Sequence, residues 1–167
     1  MLFRSVDHTF IYTAAVRKMH ELVRSGEVGD VYYYDSVRVN LGLFNTDVSV
    51  VWDLAVHDLA ILQHIVPDRP VAVSATGMAH IPGQPLNMAY LTLYYSSTLI
   101  AHMHVNWLSP VKVRRTLLGG SKRMVVYDDL EQSDKIKVYD RGISLDDRES
   151  IYQTLLGYRM EIGRAHV

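Results

Sequence analysis

Two periodicities divide the chain. Over 14–24, apolar residues recur at helical spacing. Ala15, Met19, Leu22 and Val23 form one stripe, while Arg17, Lys18, Glu21 and Arg24 face outward. Thr13 is placed to cap this helix, and Gly26 and Gly29 to stop it. Segment 31–41 is β-branched and aromatic and reads as a strand, followed by a loop over 42–49. The spacing then predicts a second helix over 51–66, with Ala55, Leu59, Leu62 and Val66 buried and Pro67 and Pro70 ending it. Beyond it the signal is strand: 71–78, 88–95, 99–107, 113–118, 124–127 and 135–139. Ser96-Ser97 and Gly119-Gly120 read as tight connections. Upstream, 6–10 is short and apolar and reads as the end of a strand belonging to an earlier domain.

Two helices followed by hairpin-linked strands argue for an α+β fold. The expected form is an open, mainly antiparallel β-sheet with helices packed on one face. Strands 88–95 and 99–107 are apolar at most positions of both faces. The uncovered face is therefore expected to leave Tyr90, Tyr94, Met103 or Trp107 near solvent. Patches of that size mark interfaces, so a homo-oligomer built through this sheet face is expected, as a two-fold pair or a tetramer of pairs.

Composition narrows the classes. The chain has 167 residues, is 49% apolar and carries a net charge of -1. That allows one domain with a real core and gives no sign of a nucleic-acid surface. With no cysteine there is no disulfide, thiolate metal site or cysteine nucleophile. No apolar run approaches a membrane span, and Arg4 and Asp7 interrupt any signal peptide at the start. A cytoplasmic location is the expectation.

The ends read as foreign. Leu2-Phe3-Arg4-Ser5 back-translates to CTCTTCCGATCT, and Ile162-Gly163-Arg164-Ala165-His166-Val167 to ATCGGAAGAGCACACGTC. These are the end and the opening of a common pair of short-read sequencing adapters. Residues 1–5 and 161–167 are thus expected to be non-native, and 6–160 to be an internal piece of a longer protein.

The segment Trp52-Asp53-Leu54-Ala55-Val56-His57-Asp58 carries the clearest chemistry. Asp53 and His57 stand four apart, a spacing that stacks both on one helix face, and such a pair can move a proton near neutral pH. The bland reading is a polar pair that satisfies itself beside the core, with Asp58 capping or bonding locally. A metal site is the third reading, since Asp53 and His57 have helical ligand spacing and His102 and His104 share a strand face. Zinc needs three or four ligands together, and no motif joins these; metal ligands are expected to be none. Arg38 and Asn40 share a strand face by period two and are candidates to bind substrate, against an exposed face as the alternative. Lys112, Arg114 and Arg115 read as a solvated face rather than a phosphate site. Gly119-Gly120-Ser121-Lys122 lacks the spacing of a phosphate-binding loop.

A resemblance enters on a series of segments. They are His8-Thr9-Phe10, AAVRKMHELVRSGEVGD, the 31–41 strand, WDLAVHDLAIL, WLSPVKVRR and GGSKRMVVYDDLE. Together they resemble the C-terminal domain of the glucose–fructose oxidoreductase / inositol dehydrogenase / MocA family over nearly all of 6–160. The helix ending in S-G-E-V-G-D and the D-x-x-x-H motif are the specific parts. The resemblance implies an upstream Rossmann domain binding NAD or NADP, and hydride transfer to or from a carbon of a sugar, nucleotide sugar or cyclitol. It implies catalytic roles for Asp53 and His57, with His57 taking the hydroxyl proton and Asp53 orienting it. The family's lysine, in an E-K-P motif, has no counterpart here, nor has G-x-G-x-x-G. The cofactor-binding residues are therefore unknown, and this chain alone is expected to be inactive. The WDLAVHD variant and the 35–42 strand look most like members acting on nucleotide sugars. The rival is a non-catalytic ligand-binding or dimerisation domain on the same sheet, which the upstream sequence would separate.

Overall fold

The computed structural model describes residues 8–42 and 47–140. Residues 1–5 and 161–167 lie outside the described residues, as do Val6 and Asp7. The described part of 6–10 does not continue a strand: Thr9–Tyr12 is a short 3-10 turn. Thr13 follows it in extended conformation, and its hydroxyl accepts from the Val16 N–H. That cap opens α1, Ala14–Arg24. Its buried stripe is Val16, Met19 and Leu22, with Ala15 and Val23 only partly covered. The helix ends where Gly26 takes a positive φ of 75°, a conformation that costs glycine nothing.

Strand β1, Val31–Leu41, is the centre of a seven-stranded sheet in the order β2-β3-β4-β1-β5-β6-β7. The others are β2 (Ala72–Met78), β3 (Met88–Tyr94), β4 (Ile100–Asn106), β5 (Leu108–Gly120), β6 (Met124–Asp128) and β7 (Ile136–Tyr139). β1 runs parallel to β4, and every other pairing is antiparallel. The α+β class and the open, mainly antiparallel sheet are as expected. The second helix enters through a wider π-type turn, Val51–Ala55, and continues as α2, Val56–Ile65.

Both helices cover one sheet face. Met19 of α1 and Ile61 and Leu62 of α2 join Leu91, Leu93, Ala101, Met103 and Val105 in one core. Full burial of each larger side chain contributes roughly 1.5–3 kcal/mol. Strict alternation along β3 and β4 decides what lies opposite. Tyr90 (38% exposed) and Tyr94 (42%) stand on the uncovered face, as expected. Met103 and Trp107 do not: both are buried, because Met103 alternates with His102 and His104, and Trp107 closes the β4–β5 junction.

β5 is longer than its apolar core suggested. It reaches back to Leu108 through a register shift between Val39 and Leu41 that accommodates Pro110, a residue with no N–H to give. Gly119-Gly120 is not a turn. Gly119 lies in β5, opposite Tyr33 of β1 and Met124 of β6, and residues 121–123 make the connection. The Tyr33 ring occupies the place a Gly119 side chain would fill.

Gly119→Ala is therefore expected to lower unfolding free energy by about 1–3 kcal/mol. Urea denaturation measures this, and Tyr33→Ala in the same chain should return part of the loss relative to Tyr33→Ala alone.

Candidate functional site

The D-x-x-x-H segment straddles the change from π-type turn to α-helix. Asp53 lies in the wide turn and His57 in the first turn of α2. The entry is pinned at two points: the Val50 N–H donates to the Leu86 carbonyl at 2.8 Å, and the Asp53 N–H to the Ser49 carbonyl at 3.1 Å. Single π-type turns of this kind recur at functional sites.

His57 stands outside the apolar core and is half-buried. Its ring meets Phe10 edge-on, with centroids 5.1 Å apart. Among the described residues its Nδ1 is buried without a hydrogen-bond partner. Burial pushes the imidazole below its ordinary range and the Arg38 guanidinium pushes it further, while Asp58 and Asp53 pull the other way and His8 adds a small downward push. Burial is the largest of these effects, so the surroundings disfavour the charged ring. Asp53 is exposed, and its Oδ2 accepts from the Trp107 indole Nε1–H at 3.0 Å.

Beside this pair lies a buried ionic knot. Arg38 donates from Nε to Asp58 Oδ2 and from Nη2 to Asp58 Oδ1, both at 2.9 Å, with both side chains almost wholly covered. The Tyr34 hydroxyl donates to the Asp58 carbonyl at 3.4 Å. Arg38 Cζ sits 4.6 Å from the Phe10 ring centroid and Arg114 Cζ 5.8 Å from it. Arg114 in turn bonds Asp129, which also accepts from the Tyr127 hydroxyl and from Lys135. Burial pushes the Asp129 carboxyl up, and these three donors more than reverse it. Phe10 is the junction that touches His57, Arg38 and Arg114.

Arg38, expected as a substrate contact, is engaged within the protein itself. Two of its nitrogens are bound to Asp58, and it faces the interior. Nor does Asp58 bond locally, since its partner is on β1. Asn40 is half-buried at the register shift near the end of β1. Arg114 is part of the Asp129 cluster rather than a solvated cation, whereas Lys112 and Arg115 are exposed.

The strand histidines lie on the opposite sheet face. His102 Nδ1 is 3.3 Å from Asp35 Oδ1, and Tyr90 stacks on His104 with centroids 4.5 Å apart. The described residues contain no group of three His, Cys, Asp or Glu placed to hold a metal. Sequence reasoning missed Phe10 and Trp107 as parts of the site. Its one usable signal was Arg38 itself, a cation amid buried positions that requires a nearby carboxylate.

Comparison with known proteins now places the fold. Residues 16–126 match the GFO/IDH/MocA C-terminal domain, and the chain belongs to that family. Three solved structures share the fold. A presumptive oxidoreductase from Magnetospirillum magnetotacticum MS-1 is 24% identical with a TM-score of 0.71, over 86% of this chain and 46% of that one. The UDP-N-acetylglucosamine 3-dehydrogenase GnnA from Acidithiobacillus ferrooxidans is 19% identical with a TM-score of 0.63, over 92% and 52%. An inositol dehydrogenase homolog from Azotobacter vinelandii, complexed with NADH and myo-inositol, is 14% identical with a TM-score of 0.68, over 86% and 45%. This chain thus spans about half the length of each. Curated proteins give no match.

His57, His64 and His104 all have imidazoles lowered from their ordinary range, with burial the largest cause in each. Their unfolded forms bind protons at higher pH than the folded ones do. Stability is therefore full above the ordinary histidine range of about 6.5 and falls as pH drops through it. Urea midpoints between pH 7.5 and 5 should decline, and His57→Gln should flatten part of that decline.

Proposed function

We propose that this chain is the substrate-side domain of an NAD(P)-dependent oxidoreductase. The parent would transfer hydride between nicotinamide and a carbon of a sugar, nucleotide sugar or cyclitol. His57 is the proton acceptor, Asp53 its companion carboxylate, and Asn40 a substrate contact. The observation that carries the reading is His57 itself: half-buried, in surroundings that disfavour its charged form, with one buried ring nitrogen that has no partner among the described residues, in the D-x-x-x-H segment of a chain from this family. The bound NADH and myo-inositol of the Azotobacter vinelandii relative support the cofactor and substrate classes.

The residues present fit one side of that chemistry. The described residues hold no strand, glycine-rich loop and helix in succession, so the dinucleotide would rest chiefly on another domain. What they supply is the His57 imidazole, which meets the Phe10 ring, with the exposed aromatics Tyr12 and Trp52 on the turns that carry Phe10 and Asp53. A bound nicotinamide would supply the hydride acceptor for the substrate carbon. The hydroxyl proton leaves to the His57 imidazole, and the Asp53 carboxylate stabilises the imidazolium that results. The reverse direction uses the same groups with His57 as acid. A cytoplasmic setting accords with the absence of cysteine. No helix among the described residues is long and apolar enough to cross a membrane.

The uncovered sheet face supports a further part of the proposal, a homo-oligomer formed through that face. Tyr90, Tyr94, Ile100 and Met78 stand on it, each at least a third exposed. That patch also favours the second reading, an oligomerisation domain without catalysis, and the two make different demands on His57.

In the full-length protein, His57→Ala should lower turnover about 10²–10⁴-fold with little change in cofactor affinity. Turnover within a few-fold of the parent's would leave only the second reading. The 167-residue chain alone should give no NAD heat by calorimetry. Tyr90→Glu should move the full-length protein toward the monomer in sedimentation velocity. A monomeric parent at micromolar concentration would remove the oligomer proposal.

A further inference from the structure

Trp107 is held by its backbone and by its indole. It is buried, and its backbone N–H donates to the Asn87 carbonyl at 3.0 Å. Its own carbonyl accepts from the Gly42 N–H at 3.1 Å. A Cβ on Gly42 would lie 2.8 Å from the indole Cδ1, so glycine there makes room for the ring. These ties bring the ends of β1, β3 and β4 together around one indole and fix where its Nε1–H points. That N–H meets Asp53 Oδ2 at 3.0 Å. Across the same helical turn, His57 Nδ1 is buried and has no partner among the described residues. A carboxylate near an orphaned ring nitrogen would ordinarily bond it. Here the carboxylate is already engaged elsewhere.

We propose that Trp107 is a positioning residue for the Asp53–His57 pair: its indole N–H holds the Asp53 carboxylate off the imidazole, so that the buried His57 ring nitrogen is left unbonded by it. The inference rests on the catalytic reading of His57 and adds to it how the pair is kept apart. The physical basis is competition. A carboxylate bound by a fixed, neutral donor has less tendency to turn and share a proton with a neighbouring imidazole. Once substrate charges the imidazole, Asp53 has a cation to answer, and its second oxygen is not held by the indole. An indole suits this task because it donates and cannot accept, so it never takes the proton itself.

The test uses the 167-residue chain and reads protons rather than turnover. The chain has two tryptophans, Trp52 and Trp107, so Trp52→Phe assigns the indole signals in a ¹H–¹⁵N spectrum. The Trp107 indole resonance should move through one acid titration step, and Asp53→Asn should abolish that step. An indole signal indifferent to Asp53→Asn overturns the proposal. In a second arm, Trp107→Phe should raise the His57 pKa by about one unit, because the freed carboxylate turns to the ring. In an Asp53→Asn background the same change should leave it in place. Arg38, Asp58 and His8, which also act on His57, are present in every variant. No shift in the first background, or equal shifts in both, shows that Trp107 acts only on packing. If Trp107→Phe does not fold, the indole titration of the unaltered residue still decides. Retained turnover in His57→Ala would sink the catalytic reading while leaving these couplings readable, so the two failures are distinguishable.

Discussion

Arg38 and Asp58 form the interaction on which this end of the domain depends. Each alone would be an untenable charge in the interior, and removing one partner of such a pair typically costs about 3–5 kcal/mol. Together they form a two-pronged contact between the central strand and the site helix. The contact fixes more than two side chains. Phe10 lies against the guanidinium, so the 3-10 turn before α1 is held to β1, and the Tyr34 hydroxyl reaches the Asp58 carbonyl. Asp58 directly follows His57, so wherever the pair sets Asp58, the imidazole is set as well.

The same pair tunes the site electrically. The guanidinium disfavours a charged His57 and Asp58 favours one, and burial tips the balance toward the neutral ring. The arrangement resembles a buffered environment more than a single perturbing charge. It also separates two jobs within six residues: Asp58 answers to the interior, and Asp53 to the surface and to Trp107. The change from π-type turn to α-helix between them lets both be met without breaking the helix.

Much of the fold was legible because its signals are local. α1 begins and ends where its cap and glycine place it, and the strands fall in the β-branched and aromatic runs bounded by turn residues. The α+β class and the helices on one face follow from those runs. What escaped was set by partners distant in sequence. Trp107 read as an exposed aromatic because nothing nearby announces that β1 and β3 close over it. The pairing of Arg38 with Asp58 was not legible because strand alternation gives a face and not a partner, which here is a helix residue. Gly119-Gly120 read as a turn because a glycine pair usually is one, yet Gly119 answers to the Tyr33 ring across the sheet. The four-residue spacing put Asp53 and His57 on neighbouring turns, but it did not show that Asp53 bonds an indole. Which sheet face faces outward was legible for Tyr90 and Tyr94, and misjudged for Met103 by one step of the alternation.

The central position of β1 bears on how the chain acquires its shape. Tyr33 pairs with Ile100 on one side and Gly119 on the other, so β1 is flanked by strands that lie far downstream of it. Such a layout has high contact order, and the entropy of closing long loops must be met before the pairing rewards it. During synthesis β1 leaves the ribosome with both edges bare and an arginine whose aspartate follows on a separate element. The hairpins β3–β4 and β5–β6 can form locally, but the sheet closes only when both have arrived around β1. Closing the sheet therefore requires β4 and β5, far along the chain, to reach back to both edges of β1.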